Sequence, residues 1–500
     1  MNTRLFLLVA TLALPSTAYP QDPGTSLGKA DGYVGVWYQN QRLGGEYVFK
    51  YSGGLGTYSA KHRPFAIYCP EVGKTFFCYG GVDADYHRRY AGKLSHENLD
   101  SAQPKDAIHH MVSFYDHEKG TVPKPTVLLN KNTHDAHDNP VISVDDEGHI
   151  WILSTTHGNS RTAHVRKSKR PYDISEFEEI QPYQMIDGKK EVIKNFSYMQ
   201  AWHLHGKGFV YFFTKYEGPK RRTCFASSAD GIEWKWQQLA DIEDGHYQIS
   251  SARADRAATT FNYHPKAFNG DPKKRGLNWR TNLYYMETPD QGETWKAADG
   301  TALKLPLTKT TNPALVRDFE SEGLLVYLKD ITFDATGHPL ILFITSKGFE
   351  SGPENNPRTW RLARWDGTAW VISEITTSDN NYDMGSLYCE KGGRLKIMAP
   401  TEVGPQPFNP GGEIAMWVSD DGGTTWVKER QMTSGSQFNH TYVRRPENAD
   451  PGFYGFWADG HGREPSISHL YFCNRDGEVF VLPTEMNEDT QAPLKVAPGK

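Results

Sequence analysis

Three short segments of the chain repeat one turn pattern that ends in tryptophan. Residues 288–295 and 419–426 match Ser/Thr-x-Asp-x-Gly-x-Thr-Trp, and residues 228–234 hold a shortened version. The pattern has a local physical logic, because Asp accepts hydrogen bonds from turn amides, Gly allows positive φ and Trp packs between strands. The three tryptophans are 61 and 131 residues apart, which fits one unit of roughly 60 to 65 residues followed by two. The chain is therefore predicted to be built from repeated β units.

Further turn signals recur between β-rich runs along the whole chain. Examples are residues 145–148, 334–337 and 476–477, next to runs such as HIWILST, LILFIT and EVFVLP. Dividing about 450 residues by the repeat length gives about seven units. The tryptophan turns resemble the Asp-box, or BNR repeat, of sialidase-like propellers. That resemblance implies an all-β fold, a single β-propeller with seven blades, and it carries no catalytic implication by itself.

The first residues have the pattern of an export signal. Asn2 and Arg4 precede an apolar run at residues 5–14, and Ser16-Thr17-Ala18 fits the small-residue cleavage rule. The apolar run is too short to span a bilayer. We expect a signal peptide at residues 1–18, a catalytic propeller domain at residues 19–500, and a secreted protein, extracellular or periplasmic, without a membrane partner.

Charge and cysteine content narrow the range of partners and cofactors. The net charge is −5, so the chain as a whole would not attract a polyanion, and no nucleic-acid partner is expected. An acidic ligand would need a local basic cleft. Among the five cysteines, Cys69 and Cys78 could face each other across a hairpin and form a disulfide. No CxxC pair occurs, so cysteine spacing does not support a metal site, and no cofactor is expected.

Three successive hairpins between residues 134 and 264 place polar side chains at one end. The first has its turn centred near residue 147, which sets His137 opposite His157. The second is centred near residue 206.5, which sets Tyr198 opposite Lys215. The third is centred near residue 255, which sets Tyr247 opposite Tyr263 or His264.

If the three hairpins are equivalent inner strands of adjacent blades, these pairs line one mouth of the central channel. Opposed residues have Cβ atoms about 4.5–5.5 Å apart, close enough to form a joint site. Each pair alone could be an ordinary strand end. Three pairs at the same end favour a functional cluster.

The residue types at this mouth favour β-elimination at a uronic acid. That reaction needs a base for the proton next to the carboxylate, a cation for the carboxylate, and an acid for the leaving oxygen. His, Tyr, Lys and Arg supply these roles. Glycoside hydrolysis instead needs two carboxylates flanking the bond. The mouth segments hold only Asp135 and Asp138, and either could orient a histidine.

At these residues the chain resembles the ulvan lyases of the BNR-repeat propeller type. The resemblance is to polysaccharide lyase family 25, with family 24 as a relative, and it covers most of the chain after the leader. It is carried by residues 32–38, 46–58, 61–62, 134–140, 156–158, 213–216, 245–248, 261–265 and 280–285. It implies a seven-bladed propeller that acts on ulvan, a sulfated polymer of rhamnose and uronic acid.

The resemblance also implies roles for individual residues. His137 and Tyr198 match the proton-transfer pair, and His157 matches a second histidine near the substrate. Tyr247 corresponds to a tyrosine that contacts the sugar, with Tyr263 as the alternative.

Two implied roles have no clear match in this chain. The arginine that neutralises the substrate carboxylate should fall near Lys215 or Arg222, and Lys215 faces Tyr198 in the predicted register. Lysine lacks the bidentate fork of arginine. Some relatives carry a structural zinc held by His and Cys. His264 could contribute to such a site, but no cysteine is near it in sequence, so no metal is expected.

Two other functions fit the same fold. A propeller that binds an acidic polysaccharide without cleaving it would use the same aromatic and basic residues. A sialidase-like glycosidase needs three arginines and an early Arg-Ile-Pro-type motif, and His62-Arg-Pro64 matches that motif poorly. The favoured interpretation is a monomeric lyase whose partner is an acidic sulfated polysaccharide.

Overall fold

The computed structural model describes residues 28–55, 61–82, 93, 95, 97, 108–159, 161–218 and 220–497. The predicted signal peptide at residues 1–18 lies outside these ranges. Within them, every sheet is antiparallel and the helices are single 3-10 turns at Ala136–Asp138, Gly276–Trp279 and Pro353–Asn355. The described residues contain no helix with the length and apolar character needed to cross a bilayer.

The first half of the chain forms an entry hairpin and four blades. The strands before the second blade are β1 (Tyr38–Arg42), β2 (Phe49–Gly53), β3 (Ala66–Cys69), β4 (Lys74–Gly81), β5 (His109–Asp116), β6 (Val122–Pro123) and β7 (Thr126–Asn130). Blade 2 has β8 (Pro140–Val144), β9 (Ile150–Ser154), β10 (His164–Ser168) and β11 (Phe177–Ile180), followed by the small hairpin β12 (Tyr183–Ile186) and β13 (Lys189–Val192). Blade 3 has β14 (Ser197–Leu204), β15 (Gly208–Glu217), β16 (Lys220–Ser228) and β17 (Lys235–Ala240), and blade 4 has β18 (Gln248–Arg253), β19 (Arg256–Tyr263), β20 (Thr281–Thr288) and β21 (Leu315–Arg317).

The second half forms three more blades. Blade 5 has β22 (Leu325–Phe333), β23 (Pro339–Ser346), β24 (Arg358–Trp365) and β25 (Trp370–Ser378), and blade 6 has β26 (Ser386–Cys389), β27 (Leu395–Glu402), β28 (Glu413–Ser419) and β29 (Val427–Gln431). Blade 7 has β30 (Asn439–Arg444), β31 (Gly455–Gly460), β32 (Leu470–Cys473) and β33 (Val479–Val481), and the chain continues through β34 (Thr490–Gln491) and β35 (Leu494–Lys495).

The arrangement is an all-β, seven-bladed propeller, as predicted. Blade 1 runs β3-β4-β5-β7, and each later blade pairs its strands in chain order. The first strands of consecutive blades contact each other, for example β3 with β8, β8 with β14 and β14 with β18. These inner strands all run in the same direction along the channel. The residues just before them therefore meet at one mouth.

Segments from both ends of the described chain close the ring between blades 7 and 1. Gly35 bridges Gly81 of blade 1 and Ser468 of blade 7. Near the other end, β34 pairs with β6. Hydrogen bonds from distant parts of the chain thereby join the first and last blades.

The tryptophan turns have the local structure that their sequence predicts. Asp230 accepts the amides of Ile232 and Glu233, and Asp290 and Asp421 accept turn amides in the same way. The ring of Trp234 lies 4.3 Å from that of Tyr211 and is buried. The three turns fall in blades 3, 4 and 6, which accounts for spacings of one unit and then two.

The predicted pairing of Cys69 with Cys78 is wrong. Cys69 lies opposite Lys74 in the β3-β4 hairpin, whereas Cys78 lies opposite Val112 on the other side of β4. All five cysteines are free thiols. The turn of the β3-β4 hairpin is centred between residues 71 and 72. A pairing of Cys69 with Cys78 would need a turn centred between residues 73 and 74.

Candidate active site

The mouth formed by blades 2, 3 and 4 collects five of the seven residues that the hairpin registers pointed to, which are His137, His157, Tyr198, Tyr247 and His264. The first hairpin has the predicted register, with Pro140 opposite Ser154 and Val141 opposite Leu153. His137 stands just before β8 on the Ala136–Asp138 turn, and His157 follows β9. Their rings stack with centroids 4.1 Å apart.

Asp135 holds both histidines in place. Its side chain caps the 3-10 turn by accepting the His137 amide at 3.0 Å. One carboxylate oxygen lies 2.5 Å from His137 Nδ1, and the other lies 2.7 Å from His157 Nδ1. With Nδ1–H of each ring donating to Asp135, the Nε2 atoms become the basic atoms. The expectation that an aspartate orients a histidine is confirmed by this geometry.

Arg161 and Asp138 hold Asp135 in its position. Arg161 donates from Nη2 to Asp135 at 3.2 Å and binds Asp138 through Nε at 2.6 Å. Asp138 is fully buried and also accepts the His157 amide at 2.7 Å. Both carboxylates of the mouth segments are therefore engaged in orientation.

Tyr198 enters the mouth through a β-bulge. Its backbone has a φ of 53°, which is uncommon for an aromatic residue and marks a functional candidate. The bulge lies between Ser197 and Gln200 in the β14-β15 pairing. The Tyr198 ring lies 6.0 Å from that of His137 and 6.1 Å from that of His157, as centroid distances.

The predicted pairing of Tyr198 with Lys215 is wrong. The turn between β14 and β15 uses three residues, so Leu204 lies opposite Gly208, and the bulge shifts the register again. A shift of one residue moves a side chain to the other face of a sheet. Lys215 lies opposite Arg222, and its ammonium sits 4.1 Å from the centroid of the Trp236 ring. Arg222 forms an ion pair with Glu217 at 2.9 Å, so neither cation joins the cluster.

The neighbouring pair, Tyr216 and Arg221, takes the place at the mouth instead. These residues lie opposite each other in β15 and β16. The hydroxyls of Tyr216 and Tyr198 are 2.7 Å apart, and Arg221 Nε donates to the Tyr216 hydroxyl at 3.3 Å. The sequence patterns missed both residues because the bulge in β14, which sets Tyr198 beside Tyr216 rather than Lys215, leaves no clear sequence signal.

Blade 4 contributes Tyr247 and His264, but not Tyr263. The β18-β19 turn has two residues, so Arg253 faces Arg256 and Tyr247 exchanges hydrogen bonds with Asn262. The rings of Tyr247 and His264 meet edge to face at 4.9 Å. Tyr263 points the other way, where its hydroxyl donates to Glu320 and its ring is buried in the core. The alternative assignment of Tyr263 to the substrate site is therefore wrong in geometry.

The β1-β2 hairpin, which lies outside the seven blades, covers part of the mouth. The Tyr51 hydroxyl lies 3.2 Å from His137 Nε2, and the Tyr38 ring meets the His137 ring edge to face at 5.4 Å. His137 is consequently 2% exposed, whereas the side chain of His157 is 28% exposed.

The environment shifts the pKa values of the two central groups in opposite directions. Burial, then the neighbouring His157, lowers the pKa of His137 below its ordinary value, so the ring is neutral at pH 7. Burial, with Tyr216 and Tyr247 beside it, raises the pKa of Tyr198 well above its ordinary value, so the phenol keeps its proton. The mouth thus holds a neutral imidazole and a protonated phenol, which suit a general base and a general acid.

Among the described residues, Asp135, His137 and His157 form the one group whose ligand atoms lie close enough to hold a metal ion. Both Nδ1 atoms already bond to Asp135, so an ion there would have to replace these hydrogen bonds. Neither His264 nor a cysteine belongs to that group, so the described residues do not assemble a His-Cys zinc site at His264.

Comparison with known proteins places the chain in a family. A model described as BNR repeat-containing family member matches residues 108–378, more than half of the chain. The chain therefore belongs to this family of repeat-built propellers.

Curated relatives share part of this sequence. An ulvan lyase of Nonlabens ulvanivorans is 25% identical over 338 residues, covering 60% of this chain and 66% of the relative. An ulvan lyase of Pseudoalteromonas sp. (strain PLSV), from polysaccharide lyase family 25, is 24% identical over 323 residues, covering 60% of this chain and 63% of the relative. The matched region thus spans just under two thirds of the length of these two relatives.

Solved structures agree with the fold. An ulvan lyase of polysaccharide lyase family 25 superposes with a TM-score of 0.66 at 18% identity, covering 90% of this chain and 96% of that one. The same lyase has been solved bound to -[GlcA(1-4)Rha3S]-. A further polysaccharide lyase superposes with a TM-score of 0.58 at 11% identity, covering 90% of this chain and 99% of that one.

Proposed function

We propose that this protein is a polysaccharide lyase that cleaves ulvan by β-elimination at the uronate and leaves an unsaturated uronate end. The observation that carries the proposal is the cluster of His137, Tyr198 and Arg221 at one mouth of the propeller. It supplies a neutral base, a protonated acid and a cation within one small volume. The ulvan lyases among its relatives support the choice of substrate.

The first step removes the proton next to the uronate carboxylate. His137 Nε2 takes the C5 proton, which makes the ring an imidazolium. Asp135 stabilises this imidazolium, because its carboxylate lies 2.5 Å from His137 Nδ1. Negative charge then develops on the carboxylate. Arg221 stabilises that charge, because a preorganised cation costs no reorganisation during the reaction.

The second step expels the leaving sugar. The electron pair of the former C5–H bond forms the C4=C5 double bond while the C4–O4 bond breaks. Tyr198 donates its phenolic proton to the leaving oxygen, and its 2.7 Å contact with the Tyr216 hydroxyl offers a path for reprotonation. His157, stacked on His137 and partly exposed, lies where the sugar would enter.

Hydrolysis fits this mouth less well. A glycosidase needs two carboxylates facing the bond. Of the carboxylates in the mouth segments, Asp135 bonds both histidines, and Asp138 is buried against Arg161. We further propose that the protein is secreted, since its polymeric substrate lies outside cells. We also propose that it acts as a monomer without a metal cofactor.

The direct test adds purified protein to ulvan and follows both ultraviolet absorbance and reducing ends. A lyase produces the two signals together, because each cleavage creates one unsaturated uronate. Reducing ends without absorbance would show a hydrolase. Binding without either signal would show a non-catalytic sugar-binding propeller.

A further inference from the structure

A cavity of about 700 Å³ opens at the end of the propeller channel opposite the candidate active site. Its wall includes the last residues of four inner strands, which are Leu204, Arg253, Phe333 and Cys389. The candidate active site lies at the starts of the inner strands β8, β14 and β18, so the two sites occupy opposite mouths. Cavities of about 300–1,000 Å³ are the usual size for small-molecule sites. This second mouth therefore has room for a ligand of its own.

Two arginines of the cavity wall share one carboxylate. Arg63 Nη1 lies 2.5 Å from Asp330 Oδ1, whereas Arg445 Nη2 lies 3.8 Å from Asp330 Oδ2. Asp330 also accepts the backbone amides of Ile331 and Leu387, each at 2.8 Å. The side chain of Arg445 is 21% exposed, and its Nε atom has no hydrogen-bond partner among the described residues. Arg445 thus keeps donors free for an incoming anion.

The other charged groups at the rim of the cavity are already paired. His203 and His205 lie 3.7 Å and 2.5 Å from Asp146, and Arg253 lies 2.9 Å from Asp255. Of the three arginines in the described cavity wall, Arg445 therefore has the loosest carboxylate contact.

Glu447 is the one acidic residue in the described part of the cavity wall. Burial raises the pKa of Glu447 to about 7, although Arg63 and Arg445 oppose the shift. Its carboxyl group is therefore largely neutral in mild acid. Under that condition the two guanidiniums face the single carboxylate of Asp330, and the inner end of the cavity carries an excess of positive charge.

Rings and short polar side chains make up much of the remaining wall. The ring-bearing residues are Trp202, Phe333, Tyr388 and Tyr454. The short polar residues are Ser251, Thr332 and Asn448. A sugar has apolar C–H faces and hydroxyl edges, so a wall that mixes aromatic faces with hydroxyl and amide groups suits a saccharide.

We propose that this cavity is a second saccharide-binding site, in which Arg445 holds the carboxylate of a uronic acid and the aromatic wall contacts its ring. A guanidinium with free donors can bind a carboxylate through two parallel hydrogen bonds. The choice of a uronate rests on the proposed lyase function, but binding at this mouth does not require catalysis. The site would hold a uronate unit of the polymer or of a released fragment away from the mouth where the bond is cut.

The first test measures D-glucuronate binding by calorimetry in the Arg221→Met variant, which lacks the candidate carboxylate-binding cation of the other mouth. Adding Arg445→Met should weaken binding at least about tenfold, because the carboxylate loses its partner. Adding Arg317→Met instead should change nothing, since Arg317 is exposed on β21 and paired with Glu322. D-Glucose, which lacks the carboxylate, should bind at least about tenfold more weakly than glucuronate. Equal affinity with and without Arg445, or no glucuronate binding, would overturn the site.

The second test uses Glu447→Gln, which keeps the shape of the side chain and removes its charge. Glucuronate stays ionised between pH 6 and pH 8, whereas Glu447 gains a proton as the pH falls through about 7. Binding should therefore be up to about tenfold tighter at pH 6 than at pH 8. The Glu447→Gln variant should bind at pH 8 about as tightly as the parent protein does at pH 6. A pH dependence that persists unchanged in Glu447→Gln would contradict the arrangement.

Cys389 reports which mouth is occupied. It is the one partly exposed cysteine and lies in the cavity wall, whereas the other four are buried. Saturating glucuronate should slow alkylation of Cys389 by N-ethylmaleimide at least about threefold, and an unchanged rate would place the ligand elsewhere. Protection by intact ulvan as well would assign the site to the polymer, and protection by glucuronate alone would assign it to released fragments. Since these readouts measure binding, a protein that binds here but forms no unsaturated product would refute the lyase function alone.

Discussion

Replacing Arg221 with methionine tests which cation neutralises the substrate carboxylate. The structure places Arg221 against Tyr216 and near Tyr198, whereas Lys215 lies on the opposite face of the sheet against Trp236. At a separation of about 4 Å and an effective dielectric constant of about 20, one charge pair is worth about 4 kcal/mol. Loss of one preorganised donor to an oxyanion costs about 2.7–4 kcal/mol, or about 10²–10³ in kcat.

We therefore expect Arg221→Met to lower kcat on ulvan by about 10²–10³. The matched variant Lys215→Met should stay within about threefold of wild type, because its ammonium lies on the other face of the sheet, against the Trp236 ring. Initial rates come from the absorbance of the unsaturated uronate, and circular dichroism confirms that both variants fold. An Arg221→Met enzyme with wild-type turnover, or a Lys215→Met enzyme with the larger loss, would refute the reasoning.

Three further predictions follow from the same geometry. Asp135→Asn should lower kcat by at least about tenfold, since an amide cannot accept from both Nδ1 atoms and hold their tautomers; unchanged kinetics would show that the histidines are oriented without it. Activity should be lost as the pH falls through the lowered pKa of His137, below 6.5, and as it rises through the raised pKa of Tyr198, above 10.0. A midpoint of the acid limb of kcat/KM above pH 7 would contradict this assignment. Trp234→Ala should destabilise the fold by about 3–5 kcal/mol in denaturant titrations, because the ring is 1% exposed between strands; a loss under about 1 kcal/mol would contradict the packing role of the turn.

The propeller was predictable because its turns report the fold locally. Asp290 and Asp421 sit in patterns that specify their own hydrogen bonds, and the spacing of the tryptophans gives the blade length. The register of the first blade-2 hairpin was predictable for the same reason. Its turn at residues 145–148 leaves one way to pair the flanking strands, and His137 meets His157 as expected.

The rest of the site depends on backbone irregularities that residue patterns do not show. The bulge in β14 sets Tyr198 beside Tyr216 instead of Lys215, only one residue away from the prediction. Arg221 then replaces Arg222 because it lies opposite Tyr216 in the regular β15-β16 pairing. Tyr51, whose hydroxyl lies 3.2 Å from His137 Nε2, lay within a segment that resembles the family. Its position at the mouth depends on how a hairpin outside the blades folds back across the propeller. Such long-range packing has no periodic signal in the sequence.

The central claim is that His137 and Tyr198 carry out β-elimination. The most direct measurement compares wild type with His137→Ala and Tyr198→Phe on ulvan, with the unsaturated uronate and the thermal unfolding of each protein recorded together. We predict that wild type forms the product, and that each folded variant is slower by about 10²–10⁴. Full activity in either folded variant would contradict the account.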